Sequence, residues 1–248
     1  MCGRYALILS PRQSLAALFK LLNGIEVLPR YNIAPTQPIV VIRQVEGRRQ
    51  AHFARWGLVP GWVKDPRDFP LLVNARAESM ADKPAFRDPL KHGRCIVPAS
   101  GYYEWHAGPG GRKQPYYITR ADGQPLALAG LHASWMGPDG EEIDSAATIT
   151  VPANAQLSPI HDRMPAILTT EAAQDAWLDV RNVRARESAQ LALPLEDGLL
   201  RFHPVSTRVN AARDDDPGLI EEVTLAEEPV APKKSGKASG DGGQMDLF

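Results

Sequence analysis

The chain has 248 residues, of which 44% are hydrophobic, and a formal net charge of -1 at pH 7. This length and composition predict a hydrophobic core within one domain, and the chain contains no run of 18 apolar residues that would predict a membrane span. The amino terminus lacks the basic start and apolar stretch of a secretory signal, and the two cysteines lie far apart. We therefore expect a cytoplasmic protein without a disulfide framework. We also expect it to be a monomer.

The sequence predicts few helices. A helix is expected over 11–22, because its leucines recur at helical spacing, with Ser10 as the N-cap and Pro11 at the first helical position. Asn23 then ends it. A second, short helix is expected over 171–178, with Thr170 as its cap.

Short strands are predicted to be more numerous than helices. A buried strand over 71–73 is expected to present Asn74 at its end. Further strands are expected over 39–42, 52–58, 94–98, 116–119, 126–131 and 147–151. Without a repeating strand-helix-strand rhythm, the fold class is α+β, with a mixed, largely antiparallel, barrel-like core and a few flanking helices.

Charge is distributed unevenly along the chain. Residues 1–120 carry 18 Lys and Arg against 8 Asp and Glu, whereas residues 121–212 carry 6 against 12. The basic first half also contains Trp56, Trp62 and Trp105, which suits a groove where basic groups follow phosphates and aromatic faces stack on bases. Ordinary solvated surface charge explains the asymmetry equally well.

Cys2 directly follows the initiator methionine. If Met1 is removed, Cys2 carries a free α-amine and a thiol on adjacent carbons, a pair that captures an aldehyde as an imine and then closes a thiazolidine ring. The second step is intramolecular and avoids most of the entropy cost of a bimolecular reaction. The alternative is that Cys2 is a small buried residue near a terminus.

Three further polar side chains lie in promising surroundings. Glu104 is flanked by aromatic residues that would raise its pKa and suit it to proton transfer, although an exposed carboxylate on an aromatic strand is common. His161 lies in a loop-like stretch, where it either acts in catalysis or pairs with Asp162. Asn74 either orients the amine and thiol or forms a turn.

The composition changes near the carboxyl terminus. We expect the folded domain to cover residues 2–222 and a flexible tail to cover 223–248, because 227–243 is rich in Pro, Lys, Ser and Gly. The last five residues resemble the peptides with which bacterial repair and replication proteins bind the sliding clamp. That resemblance implies that Gln244, Leu247 and Phe248 contact the clamp.

Several motifs together resemble the SRAP family, the SOS-response-associated peptidases, whose members include abasic-site sensors. These motifs are Met1-Cys2-Gly3-Arg4-Tyr5, Tyr31-Asn32-Ile33-Ala34-Pro35, Trp56-Gly57-Leu58-Val59-Pro60, Asn74-Ala75-Arg76-Ala77-Glu78, Cys95-Ile96-Val97-Pro98-Ala99-Ser100-Gly101-Tyr102-Tyr103-Glu104-Trp105 and His161-Asp162-Arg163-Met164-Pro165. The resemblance implies a single SRAP domain with a groove for single-stranded DNA. It also implies that the protein acts in the DNA damage response, at the nucleoid of a bacterium.

The resemblance further implies roles for individual residues. Cys2 would form a thiazolidine crosslink with the aldehyde of an abasic site, Asn74 would position it, and Glu104 and His161 would move protons. Met1 would be removed autocatalytically or by an aminopeptidase. DNA contacts are implied for Arg4, Pro35, Trp56, Arg76, Trp105, Thr150 and Arg163. The sequence 83–87 departs from some members, so either Lys83 or Arg87 would contact phosphate.

Two other functions remain open from the sequence. Cys2, His161 and Glu104 also suit a cysteine peptidase with an N-terminal nucleophile. A noncovalent single-strand-binding module is the second alternative. Because the six histidines and two cysteines show no ligand spacing, we expect neither a metal site nor a cofactor.

Overall fold

A computed structural model describes residues 2–9, 14–108 and 111–225. In this part of the chain two β-sheets meet, and short helices lie outside them. The strands are β1 (Tyr5–Leu7), β2 (Arg30–Ile33), β3 (Pro38–Val45), β4 (Arg48–Trp56), β5 (Asn74–Arg76), β6 (Arg94–Ala99), β7 (Gly101–Ala107), β8 (Lys113–Arg120), β9 (Leu126–Met136), β10 (Glu142–Pro152), β11 (Arg163–Pro165) and β12 (Leu200–Pro204). The helices are α1 (Leu15–Phe19), α2 (Pro84–His92), α3 (Glu171–Leu178) and α4 (Ala185–Ala189).

The larger sheet closes into a barrel. Its strands follow the order β10-β4-β3-β6-β9, and β9 pairs with β10 again. The β4–β10 pair is parallel, and the other pairs of the ring are antiparallel. β5 and β11 extend this sheet by pairing with β10, β5 in parallel and β11 antiparallel. The predicted α+β class with a mixed, barrel-like core is therefore confirmed.

The smaller sheet is antiparallel throughout, in the order β12-β8-β7-β1-β2. It brings the first strand of the chain beside β7, with Tyr5 opposite Tyr102. The run Tyr102 to Glu104 is buried, so β7 lies within the core over much of its length. This sheet therefore holds the start of the chain in a fixed register.

The helices agree only in part with the sequence prediction. α3 and its Thr170 cap are confirmed, since the Thr170 side chain accepts a hydrogen bond from the backbone of Ala173. α1 is shorter than predicted, because Ser14 caps it and Lys20 ends it at φ 53°. The predicted cap Ser10 and Pro11 lie outside the described residues. No helix in the described ranges is long and apolar enough to cross a membrane.

The chain leaves the barrel after β4 and returns at β5. Gly57 makes the exit at φ 132°, a backbone angle that residues with a Cβ rarely adopt. Leu58 and Leu72 then form an isolated bridge that closes the excursion. The predicted buried strand over 71–73 is wrong, because Leu71 is 48% exposed and the strand starts at Asn74. The bridge, rather than a strand, delivers Asn74 to the barrel.

Candidate active site at the junction of the two sheets

Cys2 lies where the two sheets meet. Its backbone carbonyl accepts a hydrogen bond of 3.0 Å from Asn74 Nδ2, which belongs to the larger sheet. On the other side, the Tyr103 backbone donates to the Arg4 carbonyl at 3.0 Å. Since β1 and β7 are antiparallel, the chain runs from Arg4 back to Cys2 alongside Glu104.

Asn74 is itself fixed by a second hydrogen bond. The Thr148 hydroxyl on β10 donates to Asn74 Oδ1 at 2.6 Å, so the amide nitrogen points at Cys2. The parallel register of β5 and β10 places these two residues opposite each other. Thr148 was not predicted as a site residue. Because side chains in a strand point to opposite faces in turn, Thr148 and Thr150, two residues apart, lie on the same face.

Glu104 is a carboxyl group with an unusual environment. It is 3% exposed. Burial raises its pKa to about 7, and the negative charge of Asp162 adds to this effect. The predicted low-dielectric surroundings of Glu104 are therefore confirmed, and near neutral pH both the protonated and the ionised form are populated.

The Cys2 thiol is protonated in the resting structure. It is fully buried, and burial, followed by the neighbouring charge of Glu104, raises its pKa well above the ordinary value. Cysteine peptidases depend on a thiolate that a positive neighbour stabilises. The surroundings of Cys2 have the opposite effect, so this thiol reacts only when a base removes its proton.

His161 lies in the loop before β11. This loop is fixed to β7 where the Pro159 carbonyl lies 2.7 Å from His106 Nδ1. His161 Nδ1 accepts a hydrogen bond of 2.9 Å from the Arg163 backbone, and burial lowers the pKa of the ring. Asp162 Oδ1 also lies 2.9 Å from His161 Nδ1, so the pairing of His161 with Asp162 that the sequence left open is present.

Two of the predicted DNA contacts are held by a 3₁₀ turn, Thr207–Asn210, which we call the anchor segment. Arg4 Nη1 donates to the Val209 carbonyl at 2.6 Å, and Arg4 Nη2 donates to the Asn210 carbonyl at 3.1 Å. The Trp105 indole donates to Asn210 Oδ1 at 2.7 Å. Arg4 thus fixes the start of the chain, and sequence reasoning missed the anchor segment because it lies about 200 residues away.

Trp56 does not present a ring to solvent. It is fully buried, packs edge-on against Tyr5 with ring centroids 5.2 Å apart, and donates its indole hydrogen to the Val73 carbonyl. A base cannot stack on this ring in the present arrangement. The prediction that Trp56 contacts DNA is therefore wrong, and the residue belongs to the core beneath the site.

Thr150 and Arg163 are also engaged internally. Thr150 is fully buried, and Arg163 Nη2 donates to its carbonyl at 2.6 Å. Arg163 is 8% exposed and makes a bidentate pair with Glu78 at 2.6 and 2.9 Å. Thr150, which was predicted to lie near the DNA backbone or the site, is opposite Arg76 on the strand next to Asn74 and makes its contacts within the fold. The charge of Arg163 is already paired with Glu78.

The other predicted contacts remain accessible. Arg76 is exposed on β5 and shares a face with Asn74, roughly 7 Å along the strand. Lys83 and Arg87 are both exposed, at the start and in the second turn of α2, a helix that the sequence analysis did not predict. Pro35 is half-buried in the turn between β2 and β3. The tail residues Gln244, Leu247 and Phe248 lie outside the described residues.

Comparison with known sequences places residues 1–212 within the model of the SOS response associated peptidase (SRAP) family. Abasic site processing protein YoqW of Bacillus subtilis is 36% identical over 224 residues, which cover 89% of this chain and 99% of that protein. Abasic site processing protein YedK of Escherichia coli is 32% identical over 230 residues, covering 90% and 100%. Abasic site processing protein HMCES of Gallus gallus is 36% identical over 228 residues, which cover 79% of this chain and 67% of that protein.

Solved structures with a similar fold are also found. A crystal structure of a protein from Bacteroides thetaiotaomicron matches with a TM-score of 0.70 and 29% identity over 78% of this chain and 85% of that one. A crystal structure of a protein from Bordetella bronchiseptica matches with a TM-score of 0.69 and 27% identity, over 83% of this chain and 100% of that one. With its barrel, its junction site and its matched residues 1–212, the chain belongs to the SRAP family.

Proposed function

We propose that this protein processes abasic sites by forming a covalent thiazolidine with the open-chain aldehyde in single-stranded DNA. The observation that carries the proposal is the hydrogen bond from Asn74 to the Cys2 carbonyl, which holds the second residue of the chain beside the buried Glu104. The names of the relatives support the substrate class. The protein would act as a monomer in the cytoplasm, at the chromosome, during the response to DNA damage.

The reaction proceeds without any cofactor. After Met1 is removed, the Cys2 amine attacks the aldehyde carbon and forms a carbinolamine. Glu104 donates its proton to the departing hydroxyl, and water leaves as an iminium ion forms. The Glu104 carboxylate then takes the thiol proton while sulfur attacks the iminium carbon, and the bonding pair moves to nitrogen. One C–N bond and one C–S bond form, one water leaves, and Glu104 is protonated again.

His161 suits the step before capture. An abasic sugar is mostly a closed hemiacetal, which opens when an acid protonates the ring oxygen and a base removes the hydroxyl proton. Because Nδ1 of His161 is engaged by the Arg163 backbone and by Asp162, Nε2 is the ring nitrogen that would exchange a proton with the sugar. The lowered pKa keeps the imidazole neutral at pH 7, so that it can exchange this proton with the sugar.

Binding of the DNA depends on a few exposed groups. Arg76, Lys83 and Arg87 are exposed cations in the basic half of the chain, and Arg76 lies on the face of Asn74. Trp105 is partly exposed and its indole nitrogen is fixed to Asn210, which leaves a ring of set orientation at the site. Single strands suit such a surface because their backbones bend and their bases are free to stack.

Intact mass measurement of the processed protein after incubation with an abasic single-stranded oligonucleotide tests the proposal. We expect one adduct whose mass equals protein plus DNA less one water, stable without reductant because a ring has closed. An adduct that disappears unless borohydride is added would indicate an imine only. Cleavage of a peptide series without any DNA adduct would instead support the peptidase alternative.

Asn74→Ala is expected to slow crosslinking about fivefold, because the lost hydrogen bond lets the Cys2 backbone move, and a buried hydrogen bond contributes roughly 1 kcal/mol. Thr148→Val is the matched control. It keeps the Asn74 amide but removes the hydroxyl that orients it, so it should slow crosslinking less than Asn74→Ala does. The measurement is the single-turnover rate on a denaturing gel. Equal rates for wild type and Asn74→Ala would remove Asn74 from the mechanism.

We also propose that the tail binds the sliding clamp through Gln244, Leu247 and Phe248. A chain without Leu247 and Phe248 is expected to lose clamp recovery in a pull-down with the purified clamp. Asp246→Ala is the control, because that position carries no anchor side chain in the motif. Equal recovery with the shortened chain would contradict the interaction.

A further inference from the structure

A cluster of two histidines and one aspartate lies on the barrel, apart from Cys2. His52 on β4, His132 on β9 and Asp144 on β10 place their ligand atoms within 4.8 Å of one another. Asp144 is four residues before Thr148 on the same strand, which separates the cluster from the Asn74 contact by roughly 13 Å. The three residues are 80 and 12 positions apart in sequence, so no ligand spacing revealed them.

Two of these groups already have the separation that a metal requires. His132 Nε2 lies 3.1 Å from Asp144 Oδ1. In a tetrahedral zinc site with bonds of about 2.0–2.1 Å, neighbouring ligand atoms are about 3.3 Å apart. A zinc ion can therefore replace the hydrogen bond between them with little movement of either strand.

His52 provides the independent sign of a missing ligand. Its Nε2 is buried and has no hydrogen-bond partner among the described residues. The ring packs edge-on against His132, with centroids 5.1 Å apart and planes at 84°. A buried ring nitrogen without a partner is costly, and a coordinated cation would satisfy it.

A metal ion can approach the cluster from the protein surface. His132 borders a surface cavity of about 360 Å³ that is also lined by Arg43, Trp62 and His92. The Ser134 hydroxyl donates to Asp144 Oδ1 at 2.5 Å and so orients the carboxylate. Oriented ligands and an entry path are what a protein zinc site needs.

We propose that His52, His132 and Asp144 form a zinc-binding site with three protein ligands and a water in the fourth position. The site joins three strands of the barrel, so the bound ion raises the melting temperature. Binding at His132 Nε2 takes the place of the hydrogen bond to Asp144, and the neutral ring then carries its one proton on Nδ1.

Zinc titration by calorimetry on metal-free protein tests the site. The full chain carries Cys2→Ala, because a free aminothiol at the terminus would itself chelate zinc. We expect one equivalent of Zn²⁺ to bind at micromolar or lower concentration. His52→Gln and Asp144→Asn should each weaken binding about 100-fold or more, since each removes a ligand. Co²⁺ in place of Zn²⁺ should give the intense visible bands of a four-coordinate ion.

His92→Gln is the matched control, because His92 lies on the same cavity but is exposed and outside the cluster. It should bind zinc as the parent does. Arg43→Gln removes a positive charge from the cavity wall, leaves all three ligands in place and should tighten binding a few-fold. This variant decides the question if the ligand variants fail to fold. An affinity unchanged by His52→Gln, or weakened by Arg43→Gln, would overturn the proposal, as would the absence of binding at millimolar zinc.

Discussion

Replacement of Cys2 by alanine is expected to leave no covalent adduct with an abasic oligonucleotide that survives denaturation. The variant keeps an α-amine, so an imine still forms, but without sulfur no ring closes and the imine hydrolyses. Retention of Met1 should have the same result, because the amine and thiol then no longer lie on one residue. Denaturing gels and intact mass, both without reductant, measure the outcome.

Cys95→Ala is the matched control for the Cys2 variant. Cys95 is the other free thiol of the chain, fully buried in β6 and remote in sequence. Its replacement should leave capture intact. Noncovalent binding of an undamaged oligonucleotide should be unchanged in both variants, since neither removes a cation. A gel-stable adduct with Cys2→Ala would contradict the thiazolidine mechanism.

Glu104→Gln is expected to slow crosslinking about 10²–10³-fold, because it removes the group that supplies one proton and accepts another. In the wild type the pKa of about 7 makes the donor form scarce above neutrality, so the rate should fall as pH rises beyond 7. A rising limb at lower pH follows from deprotonation of the α-amine, whose ordinary pKa is about 7.7 to 8.0. The variant should lose the falling limb. Identical pH profiles for the two proteins would exclude Glu104 as the proton donor.

The same substitution should make the protein more stable at high pH. Burial raises the pKa of Glu104 in the folded state, so folding disfavours the ionised form. The wild type therefore loses stability as pH rises from the unfolded pKa of about 4.5 through about 7, by up to about 3 kcal/mol. Glu104→Gln cannot ionise, so its advantage in urea unfolding should be small at pH 5 and large at pH 8. No difference between the two pH values would mean that the carboxylate is solvated.

Local signals in the sequence were sufficient for part of the fold. The Thr170 cap and α3 were predicted because a threonine just before a helical run accepts a hydrogen bond from a backbone N–H in the first turn, here that of Ala173. α1 was predicted too long, since its leucine spacing continues beyond Lys20, where the backbone turns left-handed. α2 was missed, although Pro84 occupies the first turn where proline is favoured.

The site depends on contacts that no local pattern contains. Asn74 was singled out from its place after a predicted strand and again from the family motif, but its partners Cys2 and Thr148 are 72 and 74 residues away. A strand pattern also does not say which aromatic faces solvent, so Trp56 was assigned to DNA although it is buried. The surroundings of Glu104 were predictable because its flanking aromatics are adjacent in sequence.

The anchor segment has a consequence for biosynthesis. It fixes Arg4 through a carbonyl 205 residues further along the chain. At translation rates of about 5–20 residues per second, this anchor emerges roughly 10 to 40 s after the start of the chain. Arrested nascent chains that end before Thr207 should therefore lose Met1 to an added aminopeptidase faster than full-length folded protein does. If Met1 is removed as proposed, the time before the anchor segment is synthesised is therefore the interval in which Arg4 is not yet fixed and an aminopeptidase would act.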